Sequence, residues 1–175
     1  MSKSLEQYIR TIQDFPKPGI GFKDITTLLK EPQPFREVIA AFAAHFSGKH
    51  VQKVVGIESR GFIFGAPLAL NLGAGFVPAR KPKKLPAATV RAEYQLEYGT
   101  DALEMHVDAI QAGERVLILD DLLATGGTAA AAVQLVEKLG GSVVGLGFLI
   151  ELDFLHGRRN LSQYDLLSLI HVAAE

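Results

Sequence analysis

Apolar residues recur at two spacings, and the alternation between them lays out the fold. Leu5, Tyr8, Ile9 and Ile12 fall at helical intervals, so Leu5–Ile12 is predicted as a helix. Asp14–Phe22 (DFPKPGIGF) is too rich in proline and glycine for a regular element. Phe35, Val38, Ile39, Phe42 and Phe46 predict a second helix over Pro34–Phe46. Short β-type runs and helical stretches then alternate. Lys53–Glu58 reads as a strand, Gly61–Leu72 as a helix and Gly75–Arg80 as a strand. Arg115–Asp120 is a strand, Thr128–Leu139 an alanine-rich helix, Ser142–Ile150 a strand and Leu166–Val172 a fifth strand. Apolar strands separated by helices imply an α/β fold, with a parallel sheet covered on both faces. Ligands of such sheets bind at the carboxyl ends of the strands.

One stretch breaks the alternation. Lys81–Ala112 is polar and rich in charge and proline. An insertion beside strand ends is expected to be a lid over a site; the alternative is a solvated hairpin with no role.

The chain has 175 residues, enough for one domain that buries most of its apolar surface. With 48% hydrophobic and 21% charged residues it is not a disordered chain. A net charge of −1 provides no overall field toward nucleic acid or an anionic membrane. The absence of cysteine rules out disulfides, thiolate metal sites and a cysteine nucleophile. The opening residues hold no signal-peptide-like apolar run, and Val143–Leu152 is too short and glycine-interrupted to span a bilayer. A soluble, unprocessed, cytoplasmic protein is expected. The five histidines show no ligand spacing and are not read as a metal site.

The most informative chemistry lies in Val116–Ala129, VLILDDLLATGGTA. Four apolar residues predict a buried strand that emerges at Asp120 and Asp121. Unpaired carboxylates are costly to bury, so these two must meet solvent, cations or hydroxyl donors. Ala124, Thr125, Gly126, Gly127 and Thr128 then open into a helix. Glycines let backbone N–H groups approach an anion, and the helix N-terminus favours negative charge. A pentose phosphate supplies the matching groups: its 5-phosphate suits the loop and its 2- and 3-hydroxyls suit the aspartates. A Walker loop is excluded because no Gly-Lys-Thr or Gly-Lys-Ser occurs here, and the dinucleotide fingerprint is missing after the first strand.

This segment resembles the signature with which type I phosphoribosyltransferases hold 5-phosphoribosyl 1-pyrophosphate, and its wording is closest to members acting on adenine. The likeness runs from about Asp14 to Leu155. It implies a single domain over 1–175, with a small hood formed by about residues 1–33 and a flexible flap over about 81–112.

Further segments gain meaning beside that resemblance. Glu58-Ser59-Arg60-Gly61 again joins a strand to a helix, where a guanidinium suits bidentate contact with pyrophosphate. The family uses this loop for pyrophosphate, which implicates Ser59 and Arg60 and implies a cis Glu58–Ser59 peptide. Arg80 and Lys81 match residues that neutralise pyrophosphate, and Lys84 matches a lysine at the start of the flap. Lys83 stands where glycine is expected. Glu97 and Tyr98 resemble a pair that closes over the reaction centre, giving catalytic roles to Glu97, Tyr98 and Asp121. Gly21, Phe22 and Lys23 resemble the base pocket, with Lys23 at a position often held by arginine. Leu152 resembles the apolar residue on the base's other face.

The implied activity is transfer of a phosphoribosyl group to adenine, giving AMP and pyrophosphate, with Mg²⁺ carried by the substrate. Hypoxanthine, guanine, xanthine or a pyrimidine are the alternative acceptors. A nucleotide-sensing regulator is a third reading, disfavoured because no extra nucleic-acid-binding surface is present. A homodimer is implied, with no nucleic-acid or membrane partner.

Overall fold

The computed structural model describes residues 4–95 and 99–174. Five strands form a parallel sheet in the order β4-β3-β7-β8-β9: β3 (Lys53–Ile57), β4 (Gly75–Ala79), β7 (Arg115–Leu123), β8 (Ser142–Leu152) and β9 (Leu166–Val172). Side chains alternate between the two faces. Val54, Leu117 and Leu119 pack with Phe42, Phe46, Phe64 and Leu68, from α2 (Pro32–Phe46) and α3 (Gly61–Leu72). Val55, Val116 and Ile118 pack on the other face with Ala132, Leu135 and Val136 of α4 (Gly127–Lys138). Burial on both faces is why β7 reads as a nearly continuous apolar run.

The alternating strands and helices stand within a few residues of their expected places, and α3 and β9 match them at both ends. The predicted helix over Leu5–Ile12 does not form. Leu5–Tyr8 makes a single 3-10 turn, and Arg10–Ile12 becomes strand β1. It pairs antiparallel with β2 (Phe22–Asp24) in the register Arg10↔Asp24 to Ile12↔Phe22. The pairing is locked by Arg10 Nε, which donates to Asp24 Oδ2 over 3.1 Å. A long-range ion pair and two β-branched residues thus outweigh a helical spacing only eight residues long. Asp24 Oδ1 also accepts from Thr26 N–H over 2.9 Å, and so joins the β1–β2 hood to the short helix α1 (Thr26–Leu29).

The polar stretch after β4 contains a paired element. Strands β5 (Thr89–Gln95) and β6 (Thr100–His106) form an antiparallel hairpin with an alternating burial pattern. Ala92, Tyr94, Leu103 and Met105 join the core beside α4. Its charge and proline hide the alternation that anchors it. Lys83 takes the left-handed conformation, with φ of 65°, a geometry that a glycine would adopt more easily. Among the described residues, no helix is long and apolar enough to cross a membrane.

Candidate active site

The chain reverses its direction of travel across the sheet between β3 and β7. From β3 it moves through α3 to β4 at one edge. From β7 it moves through α4 to β8 on the other side. Such a switch point opens a crevice at the strand carboxyl ends. Here it is widened by unequal strand lengths. The β3–β7 ladder stops at Gly56↔Leu119, while β7 continues against β8 as far as Leu123↔Glu151. The strand therefore does not end at Asp120, as the sequence suggested, but runs on to Leu123. Asp120 and Asp121 lie within it, over the part that has lost its β3 neighbour.

A cleft of about 410 Å³ occupies this position. It brings together Ser59, Arg60, Lys81, Asp120, Asp121 and the whole run Ala124–Thr128. Glu58 and Tyr94 also line it, two residues that sequence reasoning did not assign to the site. Tyr94 arrives through the burial alternation of β5, which the surrounding polar residues obscure.

The loop at Ala124–Thr128 leads straight into α4. Gly126 has a φ of 84° and stands at the N-cap without a side-chain cap. The first-turn N–H groups of α4 thus keep their capacity to bind an anion. The back of the loop is set by a segment that gave no sequence signal. A methyl group on Gly157 would lie 2.2 Å from Ala124 O, so the two backbones touch. Asn160 Nδ2 donates to Thr125 O over 3.3 Å. Arg158 fixes the same segment to the sheet, with its Nε donating to Glu151 Oε1 over 3.0 Å.

The aspartates differ in their surroundings. Asp121 is 3% exposed, and its Oδ2 lies 2.7 Å from Arg60 Nε. That contact is an ion pair without hydrogen-bond alignment, because Oδ2 accepts no donor among the described residues. Asp120 Oδ1 accepts the N–H of Asp121 over 2.8 Å. Burial pushes the Asp120 carboxyl well above the usual carboxylate range, and the neighbouring charge of Asp121 pushes it further.

Arg60 connects this cleft to the hood, since its guanidinium carbon lies 5.4 Å from the centroid of the Phe22 ring. Phe15 packs edge-on against Phe22, with ring centroids 5.2 Å apart. Gly21, Lys23 and Leu152 line a neighbouring cavity of about 1040 Å³ between the hood and the ends of β8 and β9. The alternation of β2 thus divides the expected base pocket, with Phe22 toward Arg60 and its neighbours toward the larger cavity. Lys23 Nζ is engaged with Thr11 Oγ1 at 3.0 Å.

Two expected pyrophosphate ligands stand outside both cavities. Arg80 is clamped on Glu58, Nε to Oε2 at 3.1 Å and Nη2 to Oε1 at 3.2 Å. Lys84 offers its carbonyl to Arg80 Nη1 over 3.3 Å. Burial works against the Glu58 charge, but the Arg80 fork and the Lys81 N–H hold its carboxyl below the usual range. The Glu58–Ser59 peptide is cis. Glu97 and Tyr98 lie outside the described residues. Glu151, Asp153 and His171 bring ligand atoms within 4.8 Å of one another, a grouping not foreseen from the sequence. Glu151 is already held there by Arg158 and by Ser168 Oγ at 2.6 Å.

Comparison with known proteins matches residues 24–170 to the phosphoribosyl transferase domain. The adenine phosphoribosyltransferase of Solibacter usitatus is 62% identical over 166 residues, covering 95% of this chain and 96% of that relative. The crystal structure of adenine phosphoribosyltransferase from Thermoanaerobacter pseudethanolicus superposes with a TM-score of 0.93 at 55% identity, covering 96% of this chain and 98% of that one. The Saccharomyces cerevisiae enzyme, complexed with adenine and an imino-altritol bisphosphate, gives 0.90 at 43% identity, covering 94% and 96%.

Proposed function

The chain belongs to the phosphoribosyl transferase family, and from that membership we infer that it catalyses adenine phosphoribosyl transfer. Adenine and 5-phosphoribosyl 1-pyrophosphate react to give AMP and pyrophosphate. The observation that carries this reading is the cleft itself. An uncapped helix N-terminus, an aspartate pair with Arg60 ion-paired to Asp121, and the Lys81 ammonium line one cavity. The adenine bound in the yeast relative supports the choice of base.

In this reading the N–H groups and hydroxyls of Ala124–Thr128 receive the 5-phosphate. Asp120 and Asp121 receive the ribose hydroxyls. Their charge supports the positive charge that develops at the anomeric carbon as the pyrophosphate leaves. Ser59, Arg60 and Lys81 receive the pyrophosphate. Arg80 and Lys84 act on it through their neighbours, because Arg80 fixes Glu58 and Glu58 fixes the Lys81 backbone. Phe22 stacks on the base at the rim, while Gly21, Lys23 and Leu152 shape the adjoining wall. Glu97 and Tyr98, between β5 and β6 in the sequence, close the site against water. Mg²⁺ arrives with the pyrophosphate substrate, and oxygen-rich ligands of the cleft suit that ion. The enzyme works in the cytoplasm, consistent with a chain free of cysteine.

A homodimer completes the proposal. The outer face of α3 is apolar, with Ile63 37% and Leu70 84% exposed. A second copy of this chain is the occupant that covers it.

Steady-state assays with 5-phosphoribosyl 1-pyrophosphate and each free base test the activity. Turnover is expected with adenine. Turnover with guanine or hypoxanthine and none with adenine would overturn the choice of acceptor.

A further inference from the structure

Lys81 belongs to two structures at once. Its backbone N–H donates to Glu58 Oε2 over 2.9 Å, which fixes the main chain at the cleft. Its ammonium is held by the β5–β6 hairpin. Lys81 Nζ donates to Tyr94 Oη over 2.6 Å and is ion-paired with the Asp101 carboxylate. Tyr94 and Asp101 face each other on one rung of the antiparallel ladder, and the Tyr94 hydroxyl donates to Asp101 Oδ2 over 3.3 Å. Asp101 Oδ1 is aimed by the N–H of Ala102 at 2.7 Å. Lys81 and Tyr94 line the cleft, whereas Asp101 stands behind them. Burial works against the charge of Lys81, but its hydrogen bonds to Asp101 and Tyr94 outweigh it and hold the ammonium above its ordinary pKa.

We propose that Asp101 is a positioning residue that holds the Lys81 ammonium in competition with the leaving pyrophosphate. An ammonium has three donors, and two are committed to the hairpin. A phosphate oxygen at the cleft must draw the ammonium away from a carboxylate, and that carboxylate repels the phosphate in turn. Occupation of the leaving-group site therefore weakens a contact of the hairpin, and Asp101 promotes departure of the product pyrophosphate. The inference rests on the phosphoribosyl-transfer reading of the cleft.

Calorimetric titration of the full chain with inorganic pyrophosphate tests it directly. Asp101→Asn is expected to bind pyrophosphate roughly three- to fivefold more tightly, the range open to a partly exposed ion pair. The difference should shrink as salt is added. The KM for 5-phosphoribosyl 1-pyrophosphate should fall while that for adenine holds. Tyr94→Phe removes one hydroxyl and should shift pyrophosphate binding the same way by less, and it carries the test if Asp101→Asn does not fold. Unchanged or weaker pyrophosphate binding in the folded variant overturns the competition. A wild-type protein that turns over no adenine instead sinks the functional reading, and pyrophosphate titration still tells the two failures apart.

Discussion

Asp120 and Asp121 are neighbours in sequence with unequal burdens. Asp121 has the Arg60 guanidinium beside it, while Asp120 has burial and its neighbour's charge against ionisation. The consequence for stability has a definite sign. A carboxyl whose folded pKa lies above its unfolded value of about 3.8 stabilises fully below that value, and the contribution is lost as pH rises through the folded pKa. Asparagine is neutral at every pH and keeps an Oδ1 to accept the Asp121 N–H. Asp120→Asn should therefore match wild type near pH 4 and melt higher by several degrees near pH 8, with catalysis sharply reduced. Thermal unfolding across that range checks the stability, and a wild type that gains on Asp120→Asn with rising pH would contradict it. The doublet was conspicuous in the sequence because carboxylates rarely follow four buried apolar residues. Its distance from the strand end was not, since that depends on where β3 stops.

Elements were legible where their own residues set them and obscure where a distant partner did. The fourteen-residue run of Val116–Ala129 announces a strand, loop and helix because its burial and turn chemistry are local. The hood is the opposite case. Arg10–Ile12 becomes a strand because Asp24, fourteen residues on, accepts from Arg10. Gly157 touches Ala124 for a similarly remote reason, and no local spacing could show it. Asp24 is thus the residue on which the hood depends. Hydrogen bonds from Thr26 first, then Arg10, lower its pKa from 3.8 to about 2. A depressed carboxyl stabilises above its unfolded pKa, and that support is lost as pH falls through the folded value. Asp24→Asn should cost roughly 1–2 kcal/mol at neutral pH, and its deficit relative to wild type should vanish as pH falls from about 4 toward 2. Because the hood carries Gly21, Phe22 and Lys23, the KM for adenine should rise several-fold with little change for the sugar substrate. Equal effects on both KM values would detach the hood from base binding.

The molecule divides its labour between the faces of its sheet. The α4 face carries the phosphate loop and the anchored hairpin, and the α3 face carries Arg60 and the aspartate it pairs with. Helix α3 is apolar almost throughout, which in sequence suggests a helix buried on all sides. It is not so in one chain: Phe64, Gly65, Leu68 and Ala69 face the core, while Ile63 and Leu70 face outward. Ile63 and Leu70 together give the helix an outward apolar strip. Residues that pack inward and those that face outward on α3 have the same composition, so only the geometry separates them. Leu70→Asp places a charge on the outward face without touching the core contacts of Leu68 and Ala69. The variant should keep its circular dichroism and much of its thermal stability, yet lose self-association. A roughly hundredfold weaker dimer is expected from burying an uncompensated carboxylate at a contact centre. Light scattering at micromolar protein should then report a monomer for Leu70→Asp and a dimer for wild type. A dimer in both would place the contact on another surface. Because Arg60 stands at the N-terminus of the same helix, release of its outer face should also raise the KM for 5-phosphoribosyl 1-pyrophosphate, coupling assembly to the cleft through one rigid element.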